Sequence, residues 1–165
     1  MKKYEFTGET KEIRLLFRTA TLHRIRATVA FGIVEVGDLG GWIEKEENLS
    51  HEGKAWVWGN AEVWGNAEVC GDAEVWGNAE VFSASHVLVI GAIGSRNDFT
   101  TFYRDKDNEI TVKCGCFLGK IDRFLEKVTQ THGDSKYALV YRAAVEVAKL
   151  QIDLSGEAPK DADEE

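Results

Sequence analysis

The chain has 165 residues, a formal net charge of −8 at pH 7, and 44% hydrophobic and 29% charged residues. No apolar run approaches the roughly 20 residues that cross a bilayer, and the N-terminus lacks the apolar segment of a secretory signal. The negative charge opposes general attraction to nucleic acid, because phosphate contacts supply most non-specific affinity. We therefore expect a cytoplasmic protein of one domain or two small sub-domains, with neither a membrane nor a nucleic acid as its partner.

The three cysteines, Cys70, Cys114 and Cys116, are too few for a disulfide framework, and their odd number is typical of a reducing compartment. Cys114 and Cys116 together with His132 could supply ligands to zinc, but this set lacks a fourth ligand and the usual C-x₂-C spacing. Packing of a small residue that prefers burial explains the cysteines better. We expect neither a metal nor another cofactor.

Residues 1–42 are predicted to form an N-terminal β segment. Apolar and polar residues alternate over two stretches, which indicates two antiparallel strands. The apolar positions are Ile13, Leu15 and Phe17 in the first stretch, and Ile25, Ala27, Val29 and Phe31 in the second. Many basic residues crowd this segment, and they form either a solvated strand face or a local basic surface.

Residues 43–94 carry a six-residue repeat. From Val57 the chain reads VWGNAE, VWGNAE, VCGDAE, VWGNAE, VFSASH and VLVIGA, with an aliphatic residue at every first position and a small residue at every fifth. This period fits neither a helix nor a simple amphipathic strand. It suits one face of a triangular parallel β-helix, in which a short strand is followed by a tight Gly-Asn corner. We predict a short parallel β-helix with the aliphatic residues inside.

Three six-residue faces make one coil, so residues 18 apart are predicted to lie one above another. Trp58 would then stack with Trp76, and Trp64 with Phe82, all at second positions whose side chains should point outward. An exposed aromatic surface usually marks a contact with a partner or a ligand. Three explanations stay open for these four residues: a subunit interface, cover by the flanking segments of the chain, and a ligand platform.

Residues 95–152 are predicted to form an α+β module, and the acidic residues 153–165 a disordered tail. DFTTFY and EITVKC flank the polar turn RDKDN and indicate a β-hairpin over residues 98–114. Two amphipathic helices follow, the first from near Phe117 to Thr131 and the second beginning at Asp134 or Ser135. Their apolar faces need support from the hairpin and the end of the repeat.

A polar cluster at this hairpin is the most ligand-like part of the chain. Alternate residues would present hydroxyl groups and a guanidinium on one face, a combination suited to a phosphate or a carboxylate. The predicted ligand-binding residues are Ser95, Arg96, Thr100, Thr101, Tyr103 and Arg104. The alternative is a polar hairpin edge with a local ion pair to Asp98 or Asp105.

The repeats resemble the hexapeptide-repeat superfamily, whose best-known members are trimeric acyltransferases. The stretch GDLGGWIEKEENLS, with TLHRIRAT before it and GNAEV repeats after it, more specifically resembles bacterial and bacteriophage proteins described as polymer-forming or putative-transferase β-helix proteins. This resemblance covers residues 20–94, and the segment from Ile93 to Tyr141 is similar to a module often attached to such repeats in phage-encoded proteins. The resemblance implies a left-handed coil and a phage-related origin.

These features favour a non-enzymatic, phage-type accessory protein that works by binding in the host cytoplasm. Its partner would be a host protein, such as a defence component, or a small anionic signal such as a nucleotide. One alternative is a hexapeptide-repeat acyltransferase, which would need His51 or His86 as its general base. Another is a self-assembling scaffold. The triangular repeat also favours a homo-oligomer, either a trimer or a dimer.

Overall fold

The structure is a computed structural model that describes residues 1–155 and 160–161. This part of the chain is mainly β, with three separate sheets and two C-terminal helices. Its strands are β1 (Tyr4–Arg14), β2 (Thr19–Ala27), β3 (Leu39–Ile43), β4 (Trp56–Val57), β5 (Glu62–Val63), β6 (Glu74–Val75), β7 (Glu80–Val81), β8 (Val87–Ile93), β9 (Asp98–Arg104), β10 (Ile110–Cys114), β11 (Phe117–Lys120) and β12 (Lys160–Asp161). Its helices are α1 (Ile121–His132) and α2 (Lys136–Gln151). Neither described helix is long and apolar enough to cross a membrane.

The prediction of a parallel β-helix is wrong. The six-stranded sheet has the order β12-β1-β2-β3-β5-β7 and is mixed, since only β3, β5 and β7 pair in parallel. The four-stranded sheet β11-β10-β9-β8 is antiparallel throughout, and β4 pairs with β6 as a two-stranded sheet. No closed or solenoid sheet runs through the described residues, so the prediction of a left-handed coil is wrong as well.

The short length of the repeat strands explains this outcome. The repeat strands β4 to β7 are only two residues long, so each offers few hydrogen bonds to a continuous parallel ladder. Val57 pairs with Val75, and Val63 with Val81, in parallel and 18 residues apart. On the third of the three predicted faces, the described residues form only an isolated parallel bridge between Leu49 and Val69. The long antiparallel strands β1 and β2 extend the β3 ladder, and they make that sheet mixed.

Five of the six aliphatic first positions of the repeat lie inside, as predicted, and the sixth, Val87, is only partly buried. Val57, Val63, Val69, Val75 and Val81 are fully buried. They share one hydrophobic core with Tyr4 of β1, Ile25 of β2 and Trp56 of β4. A second core, with Phe102, Val112, Phe124 and Val145 at its centre, joins the antiparallel sheet to both helices.

The predictions for the flanking segments are confirmed in outline. β1 and β2 pair antiparallel, but the chain turns between Leu15 and Arg18, which leaves Phe17 exposed. β9 and β10 form the predicted hairpin. The first helix begins at Ile121 rather than near Phe117, because residues 117–120 pair with β10 as β11.

Part of the predicted disordered tail, residues 156–159 and 162–165, lies outside the described residues. Between these two stretches, Lys160–Asp161 forms β12 and pairs antiparallel with β1.

The Lys3 ammonium lies in a buried position and should make stability depend on pH. Its Nζ donates to the Ala55 carbonyl at 2.7 Å, and burial lowers the pKa of Lys3 to about 8. The unfolded chain keeps this lysine protonated up to about pH 10.4, so it binds more protons than the folded chain between pH 8 and pH 10. The free energy of unfolding should therefore rise by about 2 kcal/mol over this range.

Urea denaturation at pH 7.5, 8.5 and 9.5 measures this rise. Lys3→Met should remove it, whereas Lys2→Met should keep it, because Lys2 is exposed and pairs with Glu46 at 2.7 Å. The measurements stop below pH 10, because burial raises the pKa of Tyr4 above its usual value. Above pH 10 the unfolded chain would lose the Tyr4 proton before the folded chain does, and this would add a second pH dependence to the free energy of unfolding. An unchanged slope in the Lys3 variant would contradict the effect.

Candidate functional site

The structure does not bring the six predicted ligand-binding residues together. Four of them lie on β9, and of these Thr100, Thr101 and Tyr103 make contacts inside the chain. The Thr101 hydroxyl accepts a hydrogen bond from the Glu74 amide at 3.0 Å, and the buried Tyr103 hydroxyl donates to the Trp76 carbonyl at 3.1 Å. Thr100 is buried as well. Thr101 and Tyr103 therefore attach the hairpin to the repeat, whereas the Thr100 hydroxyl donates to the Cys114 thiol on β10.

Arg104 is also a structural residue here. Its side chain is fully buried, and its guanidinium donates to the Glu80 carbonyl and to the Asn108 side-chain oxygen, both at 2.9 Å. The guanidinium also lies over the Phe82 ring, 4.9 Å from its centroid. The alternative of a polar hairpin edge with an ion pair to Asp98 or Asp105 does not describe β9 either, because β9 is an inner strand of its sheet and Arg104 pairs with Glu80.

Ser95 and Arg96 remain, and both line a cleft of about 160 Å³. The turn between β8 and β9 forms one wall of this cleft, the turn between β10 and β11 forms another, and the helices α1 and α2 close the remaining side. The helices contribute Phe124, Lys127, Val128, Thr131, His132 and Tyr141. We call this place the C-terminal cleft.

The cleft combines an apolar floor with cationic groups. Phe124 and Val128 are buried and belong to the second core, so they hold the floor rigidly. Arg96 and Lys127 are exposed, and each carries a positive charge at neutral pH. Asp98 is the one carboxylate among the lining residues, and it accepts a hydrogen bond from the Phe99 amide at 2.7 Å. Two cations and one carboxylate leave the cleft net positive within an acidic chain.

Gly115, in the turn between β10 and β11, leaves space for the Arg96 side chain. Gly115 has φ +57°, and a methyl group there would lie 3.3 Å from Arg96 Nη1. Burial raises the pKa of Tyr141 to about 12, so its hydroxyl stays protonated and able to donate at neutral pH. Its hydrogen-bond contact inside the cleft is the Cys114 thiol at 3.9 Å, and its ring also contacts Phe124 and His132. The Tyr141 hydroxyl is therefore a polar group available beside the cations.

The structure also brings Cys114, Cys116 and His132 to this cleft. Among the described residues, however, no group of three or more histidine, cysteine or acidic side chains is close enough to hold a metal ion. Cys114 instead accepts a hydrogen bond from the Thr100 hydroxyl at 3.3 Å. The fold therefore brings these residues to one cleft but does not place them closely enough to share a metal ion.

The predicted stacking of the aromatic second positions is confirmed. Trp58 stacks with Trp76, and Trp64 with Phe82, in both cases with ring centroids 4.4 Å apart. Trp64 is only 6% exposed, because it packs with Trp42 and other residues of β1 to β3. Cover by the flanking segments therefore accounts for the Trp64 pair, and an interface role for the aromatic residues stays a prediction.

Neither histidine proposed as an acyltransferase base lines the cleft. The His51 ring stacks on Tyr4 and its Nδ1 accepts from the Lys3 amide at 3.0 Å. His86 is buried, its Nδ1 accepts from the Phe82 amide at 3.2 Å, and burial lowers its pKa. Both rings make contacts inside the chain, and the acyltransferase alternative stays a prediction.

The predicted basic surface of the N-terminal segment is largely neutralised within the chain. Arg18 pairs with Glu44, and the Arg26 guanidinium lies 2.7 Å from a Glu5 oxygen. Similar pairs join Lys2 to Glu46, Lys11 to Glu62 and Arg24 to Glu9. The solvated strand face therefore describes this segment better than a basic binding surface.

Sequence reasoning missed the helical half of the cleft. Phe124 and Val128 lie on the buried face of the first helix, and Lys127 and Thr131 lie beside that face at the i+3 spacing. That spacing was the available signal, because it puts one cation on the edge of the buried face. No family model matches the chain, and a comparison with curated proteins found no matching sequence.

Proposed function

We propose that this chain is a non-enzymatic, phage-type accessory protein that binds a small anionic ligand in the C-terminal cleft. The observation that carries the proposal is the position of Arg96 and Lys127 around an apolar floor in a net positive cleft. An arginine fork can hold a phosphate or a carboxylate with two parallel hydrogen bonds. The phage-type origin is supported by the resemblance of the GDLGGWIEKEENLS stretch alone.

The size of the cleft limits the ligand. A volume of about 160 Å³ is below the 300–1,000 Å³ that encloses most small ligands. It has room for one anionic group and a small apolar part against Phe124. A nucleoside monophosphate would place its phosphate near Arg96 and leave part of the molecule in solvent. We expect modest affinity, because much of such a ligand stays exposed.

Capture of a host protein is a second candidate function. Its support is a group of exposed apolar side chains: Ile33 and Val36 lie between β2 and β3, and Leu39 lies at the start of β3. Exposed apolar patches often mark protein contacts. These residues lie outside the cleft, so ligand titrations and substitutions in the cleft test the first candidate independently.

Arg96→Ala should weaken binding of a mononucleotide at least tenfold. The reason is the loss of a charge-assisted hydrogen bond, whose net contribution is about 1.5–3 kcal/mol, and tenfold corresponds to about 1.4 kcal/mol. Isothermal titration calorimetry in phosphate-free buffer, with AMP, GMP, CMP, UMP and inorganic phosphate as probes, measures the dissociation constants. Lys127→Ala should also weaken binding.

Arg26→Ala is the matched control, because it makes the same change on β2, at a surface ion pair that does not line the cleft. It should leave the dissociation constants unchanged. Equal affinity of the wild type and the Arg96 variant would overturn the proposal. So would the absence of heat from every probe with the wild-type chain.

A further inference from the structure

The turn between β10 and β11 presents two cysteines to the C-terminal cleft. Cys114 ends β10 and is half-buried, Cys116 is exposed in the turn, and both line the cleft. The packing role expected for the cysteines does not account for Cys116, because an exposed side chain fills no core. Reactive cysteines lie in partly exposed, electropositive surroundings, whereas buried structural cysteines are inert. The pair is therefore a candidate for thiol chemistry.

The two thiols lie close enough to form a disulfide with each other. Cys114 pairs with Phe117, so the loop of this hairpin consists of Gly115 and Cys116 alone. In a turn this tight, two steps of about 3.8 Å between neighbouring Cα atoms leave residues 114 and 116 about 5.5 Å apart, within the range of about 4.4–6.8 Å that disulfides span. Both side chains line one cleft, so both point to the same side of the turn. The Thr100 hydroxyl donates to Cys114 Sγ at 3.3 Å and fixes the position of that sulfur.

Positive charges surround this turn. A methyl group on Gly115, between the two cysteines, would lie 3.3 Å from Arg96 Nη1, and the Lys113 ammonium donates to the Gly115 carbonyl. Lys127 lines the same cleft. Within the described part of the chain, neither Arg96 nor Lys127 is held in an ion pair. A disulfide reagent that approaches Cys116 therefore meets cations, which attract an anionic reagent and repel a cationic one.

We propose that Cys114 and Cys116 form a thiol–disulfide exchange site for small anionic disulfides, whose carboxylates the cations of the cleft attract. The Cys116 thiol loses its proton to solvent, and the thiolate attacks one sulfur of the reagent, forms a mixed disulfide and displaces one thiolate, which takes up a proton. Cys114 then loses its proton in the same way, attacks Cys116 Sγ and displaces the second thiolate, which is protonated in turn. The two protein thiols are oxidised to one disulfide, and the reagent is reduced to two thiols.

The exchange site rests on the anion-binding function proposed above, because the same cations attract both kinds of ligand, but the two can fail separately. Nucleotide binding involves no thiol chemistry. A chain that binds nucleotides but shows no charge selection at Cys116 would contradict the exchange site alone. Selective exchange without nucleotide binding would contradict the nucleotide ligand alone.

Cys70 is an internal control for this site, because it is also exposed but lies between Glu68 and Asp72 in the sequence. The reduced chain is mixed at pH 7.5 with oxidised glutathione, which is anionic, or with cystamine, which is cationic. Peptide mass spectrometry after acid quenching measures how fast each cysteine is modified. With oxidised glutathione, Cys116 should react about tenfold faster than Cys70, and with cystamine this preference should disappear.

Substitutions then test the cation and the second thiol. Arg96→Ala should slow the modification of Cys116 by oxidised glutathione about threefold, which is the effect of one unit charge at roughly 7 Å in water. Arg26→Ala should leave this rate unchanged, because Arg26 does not line the cleft. Cys114→Ser should keep the glutathione adduct on Cys116, whereas the wild type should lose it and gain the disulfide between the two cysteines. Equal rates at Cys70 and Cys116 with both reagents, or an adduct that persists equally long in the wild type and the Cys114 variant, would contradict the proposal.

Discussion

Replacing Gly65 with alanine should lower the free energy of unfolding by about 3 kcal/mol or more, whereas the same change at Gly59 should cost about 1 kcal/mol. Both glycines have positive φ, +62° and +57°, so both substitutions strain the backbone. At Gly65 a methyl group would also lie 2.7 Å from the Phe82 carbonyl oxygen, while at Gly59 it would meet nothing within 4 Å. Urea denaturation with far-UV circular dichroism measures both values.

The two positions are a matched pair, because Gly59 and Gly65 occupy the third place of consecutive, identical VWGNAE units. Local propensity is therefore the same, and the difference must come from the neighbouring chain. Phe82 is a backbone neighbour that cannot move away cheaply, because it follows β7 directly. Equal losses at the two positions would show that Phe82 does not lie where the structure places it.

Arg104→Ala should destabilise the fold by about 3–5 kcal/mol, because it removes one partner from a buried polar network. Glu80 and Asn108 would each lose a hydrogen bond from the guanidinium, and the Phe82 ring would lose its cover. A cavity at a fully buried site adds to the loss. Thermal and urea unfolding of the variant measure the effect.

Arg26→Ala again supplies the control, because its ion pair with Glu5 is exposed and should contribute less than about 1 kcal/mol. Arg104→Met keeps much of the side-chain volume. Its loss of stability should therefore lie between those of Arg104→Ala and Arg26→Ala. The result also distinguishes a structural role of Arg104 from a ligand-binding role. A variant that folds with normal stability but no longer binds nucleotides would return Arg104 to the ligand site.

The repeat shows which structural features a local sequence pattern can predict and which it cannot. The identity of the buried valines and the stacking of Trp58 with Trp76 follow from a period of six and an offset of 18, and both are confirmed. The β-helix itself did not follow. A sequence pattern tells which side of a strand is buried, but it does not tell how many hydrogen bonds a two-residue strand contributes or which neighbour extends its sheet.

The candidate site shows the same division. The sequence singled out Ser95 and Arg96, which reach the cleft, together with four residues of β9 that do not. Alternation along a strand predicts that its two faces differ, but both faces of β9 are covered, one by the repeat and the other by the helices. Lys127 and Tyr141 joined the site only through the packing of α1 and α2 against the sheet.

The sequence by itself therefore determined the local properties of this protein: which valines are inside, where β1, β2 and the hairpin lie, and that two amphipathic helices follow. The tertiary structure alone decided which sheets the strands join, which polar residues are consumed by internal contacts, and which helix face stays exposed. The physical reason is range. Hydrophobic period and turn preference act within a few residues, whereas strand pairing, ion pairing and burial depend on residues far apart in the chain that must compete for the same partners.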